Sequence, residues 1–313
     1  MLCRAATQKG DFMKYVARIH LKTGKNIVRE DLVRVCLREE QQYLAIGWSY
    51  VYTQESHIEN FQDYYDAVKR ACKRIPAVHN IFRSARKDDL FWTRDLDGAY
   101  WICRVSGPAI VKYDPALDIG AVVPVKAFKY GMEVPGQIKA SFNRPRGGTS
   151  ERLYSPAIIA FSQREYNRLS GEEIYTVPEV EENLLENLPD FELEELVISY
   201  IQLKEGYYVL SNSIAKKSTT IKIECEFIHR GKEQRKKAVV QVKGGTDKKL
   251  DALDYREYDR DGYVVYLYAP MVVNEDKLQN CIVISHQELL DFYDEYKMIL
   301  PEDITRWEHI QGR

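Results

Sequence analysis

The sequence predicts an α+β protein of two domains. Three observations carry that expectation. Its 313 residues exceed a single typical domain, at roughly 150 residues each. Segments of period-two alternation are interleaved with segments of helical period, and no tandem repeat runs through them. The composition then shifts at the acidic stretch GEEIYTVPEVEENLLENLPDF, which begins at Gly171 and is punctuated by Pro178 and Pro189.

In the first half, YVARIHL from Tyr15 alternates as a short strand, Glu30 to Gln42 has helical spacing, and YLAIGW (Tyr43 to Trp48) is an apolar strand. NFQDYYDAVKRACKRIP reads as a helix that ends before Pro76, with AVHNIFRSA as a second short helix. DLFWTRD and AYWICRVSG flank Asp97-Gly98, a strong hairpin signal, and AVVPVKAF is a further strand. Arg144 to Gly148 (RPRGG) is a basic, glycine-rich loop. In the second half, DFELEELVISYIQL is an amphipathic helix, followed by the strands GYYVL, IKIECEFI, AVVQVKGG, GYVVYLYAP and NCIVISH, and the late helix HQELLDFYDEYKMILP.

Composition narrows the function classes. Hydrophobic residues are 45% and charged residues 29%, the balance of a globular chain. No window holds the roughly 18 consecutive apolar residues of a membrane helix, and MLCRAATQKGDF has no apolar run long enough for a secretory signal. The six cysteines lie apart without a C-x-x-C pair, against a zinc ribbon or disulfide scaffold and in favour of a reducing, cytoplasmic setting. A formal net charge of −2 excludes a chain basic throughout but leaves room for a local basic groove. The six histidines are isolated, and neither a Walker loop nor a dinucleotide fingerprint is present. The 22 tyrosines suit either a tyrosine-rich core or stacking on bases.

Chemistry concentrates in the second half. Glu194 lies on the amphipathic helix, Glu224 and Glu226 share one face of a strand, and Gln241 and Lys243 share one face of the next. Were the two strands a hairpin, carboxylates, an amide oxygen and a lysine would converge. Such oxygens suit Mg2+, which neutralises phosphate charge and activates water, while a lysine orients that water or stabilises the developing anion. Alternating charges on a strand also describe an ordinary solvated face.

The order LEELVISYIQLKEGYYV, TIKIECEFI, AVVQVKGG resembles the PD-(D/E)XK nuclease superfamily, especially its Mrr-like restriction branch, over about residues 185 to 310. The resemblance implies Glu194 as the helix glutamate, Glu224 as acidic metal ligand with Glu226 as the alternative, and Gln241 and Lys243 as the Q-x-K variant of the catalytic strand. It implies Glu224 and Gln241 as ligands of Mg2+. The usual G-x-D loop is absent, and Glu224 stands where aspartate is commoner.

YLAIGW, the helical insert, DLFWTRD and YWICRVSGP resemble PUA-like and EVE-like modules, β-barrel domains that read nucleic acid, over roughly residues 13 to 168. A flipped base needs an aromatic wall and edge donors. Trp48 and Trp92 are candidate walls, and of Tyr100 and Trp101 one is expected in the core and the other outside. Arg94, Arg144 and Arg146 are candidate contacts to phosphates or base edges. The expectation is a reader domain at 13–170 built as a PUA-like β-barrel with a helical insert, an acidic linker at 171–185, and an α/β restriction-endonuclease-like domain with a central mixed sheet at 186–310. Together they imply a modification-dependent DNA endonuclease of phage defence, Mg-dependent and homodimeric, with no membrane partner. The alternatives are an inactive nucleic-acid-binding protein and an RNA-directed nuclease.

Overall fold

The computed structural model describes residues 15–24, 27–55, 57–143, 148–177, 184–213, 223–231, 235–245 and 248–310. The chain divides into two units, Met1–Val177 and Pro178–Arg313.

The first unit opens with β1 (Val16–Ile19), α1 (Arg29–Leu37) and β2 (Tyr43–Ile46). The helical insert comprises α2 (Val51–Gln54), α3 (Phe61–Ala71) and α4 (Ala77–Ser84). Four strands follow: β3 (Leu90–Arg94), β4 (Tyr100–Val105), β5 (Ile110–Asp114) and β6 (Ile119–Gly131). Helix α5 (Gly136–Asn143), β7 (Ser150–Leu153) and α6 (Pro156–Ser170) complete it. The strands run in the order β2-β6-β4-β3-β1-β7, with β5 also on β6.

The sheet is a curled half-barrel, which corrects the expected barrel: among the described residues the end strands β2 and β7 do not pair. The curl comes from β6, which is 13 residues long and serves different ladders along its length. Its first part pairs with β2 and β5, and from Val125 onward it pairs with β4. The change of partner falls at Pro124, which has no N–H to donate.

Helix α1 stops at Leu37, short of Gln42, whose side chain folds back onto the helix end. The Gln42 amide Nε2 donates to the Leu37 carbonyl at 2.8 Å and to the Ala127 carbonyl at 3.2 Å, while its oxygen accepts from the Ala127 N–H at 2.8 Å. One side chain thus satisfies a helix-terminal carbonyl and extends the pairing of β6. Tyr100 and Trp101 are both buried, against the expectation of one inside and one outside. Trp101 donates through Nε1 to Asp95 at 2.9 Å, and Tyr100 meets Phe142 of α5 edge-on at 5.4 Å, so both faces of β4 are covered. The acidic stretch does not begin as a linker: Tyr175 is buried in the first unit, donates to the Asp88 carbonyl at 2.8 Å, and Asn167 holds the backbone of Ile174 and Tyr175. Of the expected linker, residues 178–183 lie outside the described residues.

The second unit contains α7 (Leu184–Asn187), α8 (Asp190–Leu203), β8 (Tyr207–Val209), β9 (Cys225–His229), β10 (Lys237–Val242) and β11 (Lys249–Asp251). It continues with α9 (Arg256–Arg260), β12 (Val264–Tyr268), β13 (Met271–Val273), β14 (Cys281–Val283), α10 (His286–Tyr296) and α11 (Glu302–Ile310). The main sheet is mixed, ordered β14-β12-β10-β9-β8, with β10, β12 and β14 parallel and β8 and β9 antiparallel; β11 and β13 form a separate parallel pair. Residues Ala238 to Val242 are all buried, as expected of a strand covered on both faces. Val239 joins Val265, Leu267, Leu250 and Tyr255 in one core, while α8 packs on β8 and β10 with α10 and α11 against it. Among the described residues no helix is long and apolar enough to cross a membrane.

Trp92 is fully enclosed rather than an open wall, which corrects its candidacy for base stacking. It is 0% exposed, lies parallel to Phe161 at 6.3 Å, and donates through Nε1 to Ser162 of α6 at 2.9 Å. Trp92→Ala is therefore expected to lower unfolding stability by about 3–5 kcal/mol in denaturant titration, and Trp92→Phe by markedly less.

Candidate active site

Strands β9 and β10 are antiparallel neighbours with Val239 opposite Glu226 and Val240 opposite Cys225. Continuing that register, Gln241 falls opposite Glu224, whose N–H donates to the Val240 carbonyl at 2.9 Å. The Gln241 amide Nε2 donates to Glu224 Oε1 at 2.6 Å and to the Val242 carbonyl at 3.1 Å. Gln241 is 6% exposed, so its polar atoms require such partners. Of the two candidate glutamates it is Glu224 that meets Gln241. Glu226 lies opposite the apolar Val239, and its backbone N–H donates to Ser213 Oγ at 2.8 Å.

Lys243 is the first residue past β10. It is exposed, and its backbone N–H donates to the Tyr268 carbonyl at 2.8 Å. The next residue, Gly244, is pressed against the start of α8: a Cβ there would come 3.0 Å from Leu193 and 3.3 Å from an Asp190 carboxylate oxygen. Glu194 shares a carboxylate-rich neighbourhood with Glu195, Glu224 and Glu226. Burial, and then the fields of these four groups, push the Cys225 thiol up to about 12. Among the described residues, no three His, Cys, Asp or Glu side chains are grouped so as to hold a metal ion by themselves.

Beside these residues lies a cavity of about 400 Å3, lined by Lys243, Tyr268, Glu275, Ser285 and His286 among others. It sits beyond the carboxyl ends of the parallel strands β10, β12 and β14, where ligands of open α/β sheets bind. Tyr268 OH stands 3.3 Å from His286 Nδ1. Sequence reasoning set His286 aside as one of six isolated histidines and passed over Tyr268 and Glu275. The available signal was topological: reading GYVVYLYAP and NCIVISH as parallel neighbours of AVVQVKGG directs attention to their carboxyl ends.

In the first unit, Trp48 is half-buried and lies at φ 65°, a left-handed conformation uncommon outside glycine. Its corner is held firmly. Asp118 Oδ1 accepts from the Ser49 N–H at 2.9 Å and the Ser49 hydroxyl at 2.7 Å, and the Tyr64 hydroxyl donates to the Gly47 carbonyl at 2.5 Å. The Trp48 ring meets His79 edge-on at 4.6 Å, and His79 Nε2 lies 3.2 Å from the Tyr64 hydroxyl. Arg94 donates to Asn143 at 2.9 Å and lies over the rings of Tyr100 and Phe142 at 5.7 and 5.6 Å. Arg144 and Arg146 lie outside the described residues.

No family model matches this chain, and no curated protein matches it. Among solved structures, it has a likeness to the MspJI restriction endonuclease in complex with a 27-mer oligonucleotide, at 8% identity and a TM-score of 0.26. The aligned part covers 74% of this chain and 66% of that one. A likeness at that score does not establish a common fold.

Two outcomes follow from these contacts. Glu224→Ala strips an acceptor from a buried amide and is expected to cost about 1–3 kcal/mol, whereas Gln241→Leu leaves the half-exposed Glu224 able to hydrate and costs less; urea midpoints compare them. Burial holds His79 down to about 4, against about 6.5 in an unfolded chain. Between those values the folded state binds fewer protons, so stability is complete above about pH 6.5 and falls by on the order of 2–3 kcal/mol as pH drops to about 4. His79→Gln removes that contribution, and urea midpoints at pH 4.5 and 7 measure it.

Proposed function

We propose that the second unit is a magnesium-dependent nuclease that hydrolyses DNA phosphodiesters, and that the first unit reads the nucleic acid, with a modified base as its target. The observation that carries the nuclease reading is the Glu224–Gln241 pair, joined across adjacent strands two residues before a lysine that faces a cavity.

The donors fit a hard cation. Glu224 supplies a carboxylate, Val242 a backbone carbonyl and Gln241 a side-chain oxygen, and the first two already converge on the Gln241 nitrogen. A half-turn of that amide presents its oxygen instead. Mg2+ is held by few protein oxygens and keeps several waters, so one carboxylate with these carbonyls suffices. When bound, the metal supplies charge neutralisation at the phosphate and an acidified water.

The chain's own residues do the rest. Lys243, exposed on the cavity wall, places a positive charge where a phosphate oxygen becomes more negative, and its ammonium orients the attacking water. Glu194 belongs to the acidic rim that holds cations near the scissile group. Trp48, half-buried on a firmly held corner, offers a face on which a flipped base can stack. Cutting both strands of a duplex calls for two such sites, which a homodimer supplies.

The test is cleavage of unmodified and cytosine-modified DNA, with an RNA control, by the native chain, Lys243→Ala and Glu224→Ala, each with and without Mg2+. The expected result is Mg-dependent cutting of modified DNA, reduced at least about 100-fold by either substitution. Equal cutting of both DNAs removes the modified-base reader. Cutting of RNA alone moves the substrate to RNA, and binding without cutting in any condition removes the nuclease.

A further inference from the structure

Strand β1, the start of α1 and the end of β3 gather cations around one aromatic ring. Phe142 is met edge-on by His20 at 5.1 Å and flanked by the guanidinium groups of Arg18 at 5.9 Å and Arg94 at 5.6 Å. Arg29 joins them: its Nη2 donates to the Arg94 carbonyl at 3.2 Å and its Nε to the Leu21 carbonyl at 3.0 Å. Lys22 is exposed two residues beyond His20.

Little negative charge answers this group. Arg18 is buried and pairs with Glu151 at 3.1 Å, so it is already committed. Asp95 acts on Arg29 from a distance but is buried and holds the Ala99 N–H and the Trp101 indole. Among the described residues, neither Arg29 nor Arg94 has a carboxylate within ion-pairing distance. Only Nη1 of Arg94 is engaged by side chains there, by Asn143 at 2.9 Å and Tyr100 at 3.4 Å.

Holding like charges together costs free energy, and its effect registers on the groups themselves. Burial, then Arg18, Arg29, Arg94 and Lys22, push His20 down to about 4. Burial and Arg94 lower Arg29 as well. An anion with several acceptor oxygens relieves this repulsion, and guanidinium forks match a phosphate in both charge and geometry.

We propose that His20, Arg29 and Arg94, with Lys22 at the rim, form a docking point for a backbone phosphate of a nucleic acid strand. This rests on the reading of the first unit as a nucleic-acid reader, and adds the place where it holds the backbone. Contacts of this kind set register and affinity without selecting sequence.

The test uses the full chain with EDTA present, so that no cutting intervenes. Fluorescence anisotropy follows binding of labelled single-stranded DNA, duplex DNA and RNA across salt concentrations, for the native chain, Arg29→Gln, Arg94→Gln and Arg94→Lys, with Lys277→Gln as an unrelated exposed control. Each Gln variant is expected to weaken binding about 5- to 10-fold and to reduce the salt slope by about 1, independently of sequence, while Arg94→Lys keeps most of the slope. A second measurement needs no variant: the NMR titration of the His20 imidazole in the native chain moves to higher pH when the oligonucleotide is bound. The oligonucleotide that produces the shift identifies the source of the phosphate. If the native chain binds but the Gln variants bind equally well with an unchanged salt slope, or His20 titrates as before, the docking point is wrong and the reader stands. If no oligonucleotide binds at all, the reader and the docking point fall together.

Discussion

A buried amide must be satisfied, and in the second unit that requirement falls on Gln241. It sits in a strand covered on both faces, where an unpaired polar group is costly. Its nitrogen therefore binds Glu224 across the ladder and the Val242 carbonyl along it. The backbone register places Glu224, just before β9, opposite Gln241, and leaves Glu226 opposite Val239. The chain then leaves the sheet at Lys243 and Gly244, against the first turn of α8, and the cavity opens at that exit. The Gln241 contacts, the end of β10 and the cavity thus lie within a few residues of one another along the chain.

The charges of the two units are arranged in contrasting ways. The second unit collects carboxylates around Cys225, and the first collects guanidinium groups around Phe142. Around Phe142 the like charges register on their own members, since burial and neighbouring cations hold both His20 and Arg29 down. A net charge of −2 is the near-cancellation of 45 basic and 47 acidic residues, and it conceals this segregation.

Much of this was legible from the residues. Alternation marked β9, the apolar run AVVQV marked β10, and Asp97-Gly98 marked the β3–β4 hairpin, because period and turn chemistry are local properties. The proximity of Glu224 and Gln241 followed from placing those strands side by side. What escaped depends on partners distant in sequence. Trp92 and Trp101 look alike as exposed or buried aromatics until α6 and Asp95 cover them. The half-barrel was hidden because β6 changes neighbours part-way along. Helix α6 was overlooked despite Pro156 at its start and Gly171 in the left-handed conformation after its end, the asymmetry by which helices are recognised. The cavity residues Tyr268 and His286 required the order of the parallel strands, which no local pattern contains.

Gln42 has a consequence of its own. Its nitrogen serves two carbonyls and its oxygen serves an N–H, all from one planar group. Glutamate has the same shape but no donor, and would aim negative charge at the Leu37 and Ala127 carbonyl oxygens; asparagine is one carbon short of reaching either. Position 42 therefore admits almost no replacement by a similar residue. Hydrolysis of that single amide would loosen the end of α1 and the margin of β6 together, making it a point at which chemical ageing of the chain becomes structural.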